Sequence, residues 1–507
     1  MADNHFRQQV MPRYQVSGAS LYLGGALHPS LSPPYPPVQL ALKNFNRHGL
    51  IAGATGTGKT KTLQGLAESL SDQGVAVMLM DIKGDLSGLA APGAEHPKID
   101  ERHQRLGRPF SPAAFPVEFF SLSQANGVRL RATVSEFGPM LLAKMLGLND
   151  TQQGVLAVLF QYSDQQQLPL VDLQDLKSLF LFAQQAGKAA LEKNFGRISP
   201  ASLGAMLRKV SAIERQGADI FFGEPSLDIY DLLRQRSTGQ GIISTVRLSD
   251  MQDRPKLYST FMLGLLAELH ATLPEVGDLD KPKLVLFIDE AHLLFKQATA
   301  ALLDQIEYTV KLIRSKGVGL VFCTQRPTDI PEAVLSQLGF KIQHALRAFT
   351  AKDRRNIRTS AENFPLSPYY SVAELITQLG VGEAMVSALD EQGVPTPTVH
   401  TLLQAPRSRM GVLRPEETQA VIQQSALVAR YQTSLDRLSA HELLQQRMTQ
   451  LIGEPENQAD SAGTQPAHEA PAWWESMSKN TLVRQMGRTI AREIARSLLG
   501  ALGTRRR

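Results

Sequence analysis

The sequence has few of the features that mark secreted, metal-cluster and membrane proteins. It contains one cysteine, Cys323, which excludes intramolecular disulfides and Cys-rich zinc or iron–sulfur sites. Its longest apolar stretches, such as LVLFI at 284–288, are much shorter than the ~20 residues that a membrane-spanning helix needs. The first 15 residues hold no apolar segment of the kind that a secretory signal requires. We therefore expect a cytoplasmic protein without an integral membrane segment.

The net positive charge of the chain comes from its last residues. With 43% hydrophobic, 20% charged and 6% aromatic residues, the 507-residue chain has the composition of an ordinary globular protein, and its length predicts about three domains. Its formal charge is +5, but residues 479–507 hold eight basic residues against Glu493 alone, a net +7, which leaves −2 for the other 478 residues. An interaction with nucleic acid that rests on basic charge must therefore involve this tail.

The order of apolar runs along the chain predicts a sheet that is interrupted and then resumed. Short runs with β propensity alternate with helical patterns, first as GLIAG, VAVMLMD and FPVEFF, and later as GIISTV, KLVLFIDE, GVGLVFCTQ and KIQHALR. This alternation is typical of a parallel α/β sheet. Only helical patterns occur between the two series, and short strands around Gly and Pro turns near 380–402 are predicted to close the core.

These patterns predict seven segments. They are a lead-in segment at 1–37, the first part of an α/β core at 38–135, a helical insertion at 136–236, the second part of the core at 237–405, a helical extension at 406–452, a flexible linker at 453–476 and a basic amphipathic helix at 477–507. The linker is predicted from its richness in Ala, Pro, Gln and acidic residues, which show no periodicity.

GATGTGKT, at residues 53–60, is the most specific motif. It matches the phosphate-binding pattern G-x-x-x-x-G-K-[S/T] between a predicted strand and a predicted helix, a context that a plain Gly-rich turn does not require. Glycines let the backbone wrap around phosphate oxygens, and the helix start directs free N–H groups at them. Lys59 is predicted to neutralise the β- and γ-phosphates of ATP, and the Thr60 hydroxyl to bind Mg²⁺. The predicted ATP-binding residues are Gly53, Ala54, Thr55, Gly56, Thr57, Gly58, Lys59, Thr60 and Thr62.

KLVLFIDE predicts a buried central strand with acidic residues at its carboxyl end, where α/β sheets bind ligands. Asp289 is predicted to hold Mg²⁺ and Glu290 to deprotonate the attacking water, which favours hydrolysis over phosphoryl transfer to a metabolite. The alternative is an ordinary strand end with two solvated acids. The letters from Asp289 to His292 spell a helicase box, but the other motifs of that helicase class are absent from the sequence, so we treat the spelling as coincidence.

The run GVGLVFCTQ predicts a neighbouring strand that ends in Thr324 and Gln325. The amide of Gln325 is a candidate to contact the γ-phosphate or the attacking water, and the alternative is a turn-forming role. Cys323 is expected to be a small buried hydrophobe and not a nucleophile.

Six motifs together resemble the HerA/FtsK superfamily of ring-forming P-loop ATPases, and within it the bacterial HerA-like proteins. They are GATGTGKT, DIKGDL, FIDEAH, TQRP, HALRAFTAKDRRNIR and GVGEAMVSALDEQG, and the likeness covers roughly residues 15–450. The resemblance implies a RecA-like fold of six subunits around DNA, or, as in secretion-linked members, an ATPase for polypeptide transport. It also implies that an arginine from the neighbouring subunit completes each active site.

Four arginines are candidates for that role. Arg347 is favoured, and Arg354, Arg355 and Arg326 are the alternatives. For any one of them a surface salt bridge is the competing interpretation. Within DIKGDL, Asp81 and Lys83 match the acidic-lysine turn of the family, which is expected near the nucleotide, and a simple turn is an almost equally good interpretation.

The basic tail predicts an amphipathic helix. Arg484, Arg488, Arg492 and Arg496 share one face beside an apolar stripe, so the helix could bind phosphates, an anionic membrane surface, a partner, or the protein's own core. For the whole chain we predict an ATP-hydrolysing ring motor, a DNA translocase or helicase that forms a hexamer. The alternatives are an ATPase that remodels or transports protein, and an ATP-dependent scaffold.

Overall fold

The chain folds into two compact units. The computed structural model describes residues 2–122, 127–249, 254–296, 300–435 and 437–453. We call the first unit, Met1–Leu130 with Leu227–Thr433, the α/β unit, and the second, Arg131–Ser226 with Ser434–Arg507, the helical unit. The predicted basic helix at 477–507, and the predicted linker at 453–476 apart from its first residue, lie outside the described residues.

The described part of the α/β unit contains one sheet of twelve strands. They are β1 (Ser20–Ala26), β2 (Pro37–Ala41), β3 (Gly49–Ala52), β4 (Ala76–Asp81), β5 (Val117–Ser121), β6 (Val128–Arg129), β7 (Ile243–Arg247), β8 (Leu284–Ile288), β9 (Val318–Thr324), β10 (Phe340–Gln343), β11 (Glu383–Ala388) and β12 (Val399–Leu403). Their order across the sheet is β2-β1-β12-β11-β10-β3-β9-β8-β4-β7-β5-β6.

The sheet is parallel over most of its width. Every pair from β10 to β6 in this order is parallel, whereas β11, β12, β1 and β2 continue the sheet antiparallel at one edge. Strands β8 and β9 are buried along their whole length, as expected for apolar strands covered on both faces. The predicted α/β class with a parallel-rich sheet is confirmed. Because β3, β9 and β8 are parallel neighbours, their carboxyl ends meet at one edge.

Two features of the sheet differ from the sequence pattern. The segment predicted as a lead-in supplies β1, where Gly24 packs so closely on β12 that a Cβ would lie 2.0 Å from the carbonyl oxygen of Leu402. The strand predicted from KIQHALR ends early, at Gln343. Beyond it the Ala345 carbonyl accepts the N–H of Ala54 at 2.8 Å, and the Leu346 N–H donates to Ile376 at 3.1 Å. These backbone groups are therefore used outside the sheet, and the strand stops.

The helices surround the sheet or build the helical unit. In the described residues they are α1 (Ala2–Gln9), α2 (Lys59–Asp72), α3 (Pro97–Leu106), α4 (Val134–Leu146), α5 (Asp150–Gln165), α6 (Leu173–Gln184), α7 (Lys188–Phe195), α8 (Pro200–Glu214), α9 (Pro255–Thr272), α10 (His292–Lys296), α11 (Ala300–Ile313), α12 (Glu332–Leu335), α13 (Ala351–Glu362), α14 (Val372–Gln378), α15 (Pro415–Gln423), α16 (Ala426–Tyr431) and α17 (Ala440–Gly453). None of these described helices is long and apolar enough to cross a lipid bilayer.

The helical unit consists of α4–α8 and α17. Its first three helices begin at capping boxes. The side chains of Thr133, Asn149 and Asp172 each accept a backbone N–H from the first turn, and their own backbone N–H groups donate to a side chain of that turn. Helices α6 and α17 pack together, and the Asp175 carboxylate of α6 accepts the His441 N–H of α17 at 2.7 Å. This unit is therefore a self-capped helical bundle with its own buried leucines.

Candidate active site

The GATGTGKT segment forms a tight loop between β3 and α2. Gly53, Gly56 and Gly58 have φ values of 153°, 78° and 112°, a region that side chains rarely adopt. A Cβ on Gly53 would also lie 2.5 Å from the Cβ of His344. The loop is tied to its neighbours because the Gly53 N–H donates to the Thr324 carbonyl at 3.3 Å. The glycines are therefore required by the backbone path as well as by the motif.

Lys59 is held over this loop. Its Nζ donates to the Ala54 carbonyl oxygen at 3.1 Å, and the Thr57 hydroxyl donates to the same oxygen at 2.7 Å. The Lys59 side chain is buried, and burial lowers its pKa, with the charge of Lys83 acting in the same direction. A buried ammonium beside a second cation is a site that an anion stabilises.

Asp289 follows β8 and has an unsatisfied oxygen. It is 3% exposed, and its Oδ2 has no hydrogen-bond partner among the described residues. Burial raises the pKa of Asp289 to about 7, although the charge of Lys83 opposes the shift. A buried oxygen without a partner fits a cation, and together with the Thr60 hydroxyl it supplies the oxygen ligands that Mg²⁺ prefers.

Glu290 lies between two cationic or titratable side chains. Its Oε1 is 2.5 Å from Nζ of Lys83 and its Oε2 is 3.2 Å from Nδ1 of His292. Glu290 has φ 47°, a left-handed backbone that costs of order 1–3 kcal/mol for such a residue and is often kept at functional sites. The His292 contact was missed by the sequence analysis, which treated the DEAH letters as coincidence.

The DIKGDL turn delivers Lys83 from β4, the strand next to β8. The Asp81 carboxylate accepts the backbone N–H groups of Gly84, Asp85 and Leu86 at 2.7, 3.2 and 3.2 Å. Burial raises the pKa of Asp81 to about 6. Asp81 therefore organises the turn, and Lys83 is the residue of this turn that reaches the carboxylate of Glu290.

Gln325 comes one residue after β9, which separates β3 from β8. Its side chain is exposed, at the same sheet edge as the loop and the two carboxylates. Thr324 just before it is buried and donates to Oδ2 of Asp329 at 3.0 Å. Cys323 is 1% exposed, and burial raises the pKa of its thiol, as expected for a packing residue.

The candidate arginines lie away from these contacts. Arg347 is exposed, and its Nη1 donates to the Thr377 carbonyl at 3.1 Å. Arg326 pairs with Asp329 at 3.1 Å. The other two, Arg354 and Arg355, are exposed on α13. No hydrogen bond or ion pair among the described residues joins any of the four to the phosphate-binding loop or to the carboxylates.

A pocket of about 510 Å³ opens beside the loop on the side away from the carboxylates. Strands β10, β11 and β12 flank β3 there, whereas β9 and β8 lie on its other side. Arg102 of α3 secures one wall by donating to the carbonyls of Val381, Gly382 and Leu403 at 2.9–3.0 Å. The lining of the pocket includes Gly58, Ile99, Arg102, Ala405 and Met410.

Comparison with known proteins identifies the family. The model of the Helicase HerA-like C-terminal family matches residues 32–507. The chain belongs to this family. The resemblance of the HerA-like motifs to the HerA/FtsK superfamily is thereby confirmed.

Curated relatives match the chain over part of their length. It is 35% identical over 125 residues to a probable helicase of Methanocaldococcus jannaschii, a match that covers 24% of the chain and 22% of that protein. It is 22% identical over 355 residues to the DNA double-strand break repair helicase HerA of Saccharolobus solfataricus, covering 69% of the chain and 63% of that protein. The chain therefore spans less than two-thirds of the length of these relatives.

A solved structure shares the HerA-like fold. VirB4 of Thermoanaerobacter pseudethanolicus superposes with a TM-score of 0.50 at 16% sequence identity, covering 80% of this chain and 99% of that one. At this identity the similarity concerns the fold alone, and it supports the predicted RecA-like architecture.

Proposed function

We propose that the protein is a Mg²⁺-dependent ATPase whose active site lies at the carboxyl ends of β3, β8 and β9. The observation that carries the proposal is the arrangement of Asp289 and Glu290, both buried, at the sheet edge that also bears the GATGTGKT loop. Because β3, β9 and β8 are parallel neighbours, the acids and the phosphate-binding lysine end at the same edge, which supports a single site; the charges of both acids also act to raise the pKa of Lys59. A solvated strand end would bury neither carboxylate.

Nucleotide binding follows from the loop geometry. Backbone N–H groups of Gly56, Gly58 and Lys59 at the start of α2 would contact phosphate oxygens, and Nζ of Lys59 would exchange the Ala54 carbonyl for a phosphate oxygen. Thr60 and Asp289 would hold Mg²⁺, which supplies positive charge to the phosphate oxygens.

The position of the carboxylates supports one direction for the nucleotide. With its γ-phosphate toward Glu290, a bound ATP would extend its nucleoside to the opposite side of the loop, where the 510 Å³ pocket lies. Ile99, Ala405 and Met410 offer apolar contacts for a base in this pocket. We therefore assign the pocket to the base and ribose.

Hydrolysis requires a base, a positioned water and compensation of charge. Glu290 would accept a proton from a water while the oxygen of that water bonds to the γ-phosphorus. The bond from the γ-phosphorus to the β–γ bridging oxygen breaks in the same step, giving ADP and phosphate. The amide of Gln325 would orient this water or contact the γ-phosphate. Lys59 would neutralise the charge that gathers on the phosphoryl oxygens.

The decisive experiment is steady-state ATP hydrolysis by the purified chain with Mg²⁺. We expect Lys59→Ala to abolish turnover, and Glu290→Gln to reduce it by about 100-fold or more while ATP stays bound. Glu332→Gln, on the exposed face of α12, is the matched control and should behave as wild type. Normal turnover by Glu290→Gln would remove Glu290 as the base.

We further propose a hexameric ring in which Arg347 of one subunit reaches the active site of the next, with Arg354, Arg355 and Arg326 as alternatives. Support comes from the exposure of Arg347 and from the family's resemblance to ring motors. Mixing Lys59→Ala with Arg347→Ala subunits tests this, because each mixed ring regains sites with both intact residues. Recovered activity is expected for a shared site, and a mixture as inactive as its components would reject Arg347.

DNA is the proposed substrate of the motor. The relatives named HerA are described as DNA double-strand break repair helicases. ATPase activity is expected to rise with DNA and to lose this stimulation between about 50 mM and about 200 mM salt, because phosphate contacts release counterions. The charge of −2 outside the tail favours a second candidate, an ATPase that acts on protein. Basal activity that no form of DNA changes would support that candidate. The cytoplasmic location stays a prediction.

A further inference from the structure

Lys83 forms an ion pair with Glu290, the carboxylate that the proposed reaction needs as its base. Its Nζ lies 2.5 Å from Oε1 of Glu290, while His292 lies 3.2 Å from the other oxygen. Glu290 is 7% exposed in this pair. A general base must present a free carboxylate oxygen to water within hydrogen-bond distance. In this arrangement Oε1 of Glu290 is held in the ion pair, whereas Oε2 is buried near His292 and makes no hydrogen bond within the described residues. The ion pair therefore competes with water for Oε1, the oxygen that Lys83 contacts.

The turn that carries Lys83 is fixed, but its ammonium group is not. The Asp81 carboxylate holds the backbone of the turn through three N–H groups. The Lys83 side chain is 38% exposed, and apart from Glu290 no hydrogen-bond or ion-pair partner of Nζ is found in the described part of the chain. A lysine ammonium on a four-carbon stem can change partner by rotation about its own bonds. Lys83 can therefore leave Glu290 without any movement of the sheet.

The competing partner is the phosphate that binds next to Lys59. Lys83 contacts Glu290, and Glu290 follows β8, which is separated from β3 by β9 alone. Its ammonium therefore lies on the carboxylate side of the loop, where the γ-phosphate is proposed to bind. A terminal phosphate carries more negative charge than a carboxylate and offers several acceptor oxygens. ADP lacks this group, and its terminal phosphate is the one that Lys59 is expected to contact.

We propose that Lys83 is a positioning residue that distinguishes ATP from ADP: it pairs with Glu290 when no γ-phosphate is present and moves to the γ-phosphate when ATP binds. The move frees Oε1 of Glu290 for the attacking water, so the ion pair that competes with this water is released only when there is a bond to cleave. This inference rests on the proposed ATPase function and adds the group that senses the third phosphate.

The test compares the affinities of ADP and of a non-hydrolysable ATP analogue, each with Mg²⁺, by calorimetric titration of the full chain. We expect Lys83→Met to weaken the analogue by about tenfold or more and ADP by less than about twofold. Lys83→Arg should keep most of the wild-type preference for the analogue over ADP, because arginine retains a mobile cation. Lys188→Met, on the exposed surface of α7, removes the same charge elsewhere and should change neither affinity.

Glu290→Gln supplies a second readout, since it removes the competing anion. It should strengthen analogue binding several-fold when Lys83 is present and by less in the Lys83→Met background. Equal gains in both backgrounds would overturn the exchange. So would a Lys83→Met variant that loses ADP and analogue affinity equally, or loses neither.

Binding of ADP by the variants also reports that the site is folded. If the wild type binds neither nucleotide, the proposed function and this inference fail together. If the wild type binds both and Lys59→Ala binds neither, the proposed function stands, and the Lys83 variants then decide the inference alone.

Discussion

Thr62 of α2 and His344, the residue after β10, are joined side chain to side chain, with Oγ1 and Nε2 2.9 Å apart. The backbone N–H of His344 also donates to the Ala52 carbonyl at 2.7 Å. His344 is fully buried, and burial lowers its pKa to about 3, so the imidazole is neutral. The residue therefore braces both ends of the phosphate-binding loop, the end of β3 and the first turn of α2.

Replacing His344 by alanine should destabilise the loop. His344→Ala leaves a cavity and a buried Thr62 hydroxyl without its partner, which together are expected to cost about 2–4 kcal/mol in the free energy of unfolding. Chemical denaturation measures this loss. The double variant His344→Ala/Thr62→Val should lose less stability than the sum of the losses in the two single variants. Fully additive losses would show that the hydrogen bond contributes nothing.

Glu68 connects α2 to the wall of the pocket. Its carboxylate, buried in α2, accepts the N–H groups of Arg407 and Ser408 at 2.8 and 3.1 Å and the Ser408 hydroxyl at 2.5 Å. Glu68→Ala leaves these buried donors without an acceptor, so we expect a loss of about 2–4 kcal/mol in the free energy of unfolding and weaker ADP binding. Glu68→Gln keeps an acceptor oxygen, so its stability and ADP affinity should lie between those of wild type and Glu68→Ala. ADP affinity that is unchanged in Glu68→Ala would separate this wall from nucleotide binding.

Filling the pocket should affect the nucleoside and not the phosphates. Ala405→Phe places a ring in the space assigned to the base, so we expect ADP to bind about tenfold or more weakly, while pyrophosphate with Mg²⁺ keeps its affinity. Competition titrations measure both. Ala190→Phe, exposed on α7 of the helical unit, is the matched control. Equal losses for ADP and pyrophosphate would mean that the substitution disturbs the loop and would contradict the assignment.

The sequence was sufficient to predict the parallel part of the sheet because its strands are continuous apolar runs with polar residues at their carboxyl ends. GLIAG, KLVLFIDE and GVGLVFCTQ correspond to β3, β8 and β9. Their order across the sheet brings Lys59, Asp289, Glu290 and Gln325 to one edge. Such local patterns carry enough information when each strand is buried on both faces.

The antiparallel edge and the contacts of Glu290 could not be predicted in the same way. Strand β1 contains two adjacent glycines, which lower β propensity. Gly24 is explained by the close backbone of β12, and Gly25 by the close approach of Tyr35 and Leu106. Lys83 and Glu290 are more than 200 positions apart in the chain, and they meet because β4 and β8 are neighbours. Pairings of this kind depend on strand order, which a single sequence does not reveal.

His48, just before β3, provides a prediction about pH. Its Nε2 lies 2.8 Å from the Val310 carbonyl and its Nδ1 accepts the Leu320 N–H at 3.0 Å, so the imidazole is neutral with its proton on Nε2. Burial lowers the pKa of His48 from 6.5 to about 4. The unfolded chain therefore takes up a proton below pH 6.5 that the folded chain refuses, and stability is lost as the pH falls from 6.5 toward 4. Near pH 5 this term is about 2 kcal/mol.

The His48 term can be isolated by substitution. His48→Asn keeps a residue that tolerates the left-handed backbone, φ 59°, found there, and it removes the titrating group. The variant should be less stable than wild type at neutral pH, because the Leu320 N–H loses its acceptor, but its further loss between pH 7.5 and 5 should be smaller by about 2 kcal/mol. Asp289 and Asp81, whose pKa values are raised to about 7 and about 6, act in the opposite direction and are common to both proteins. Denaturant unfolding at the two pH values measures the difference, and parallel losses in both proteins would show that His48 takes up its proton in the folded state as readily as in the unfolded one.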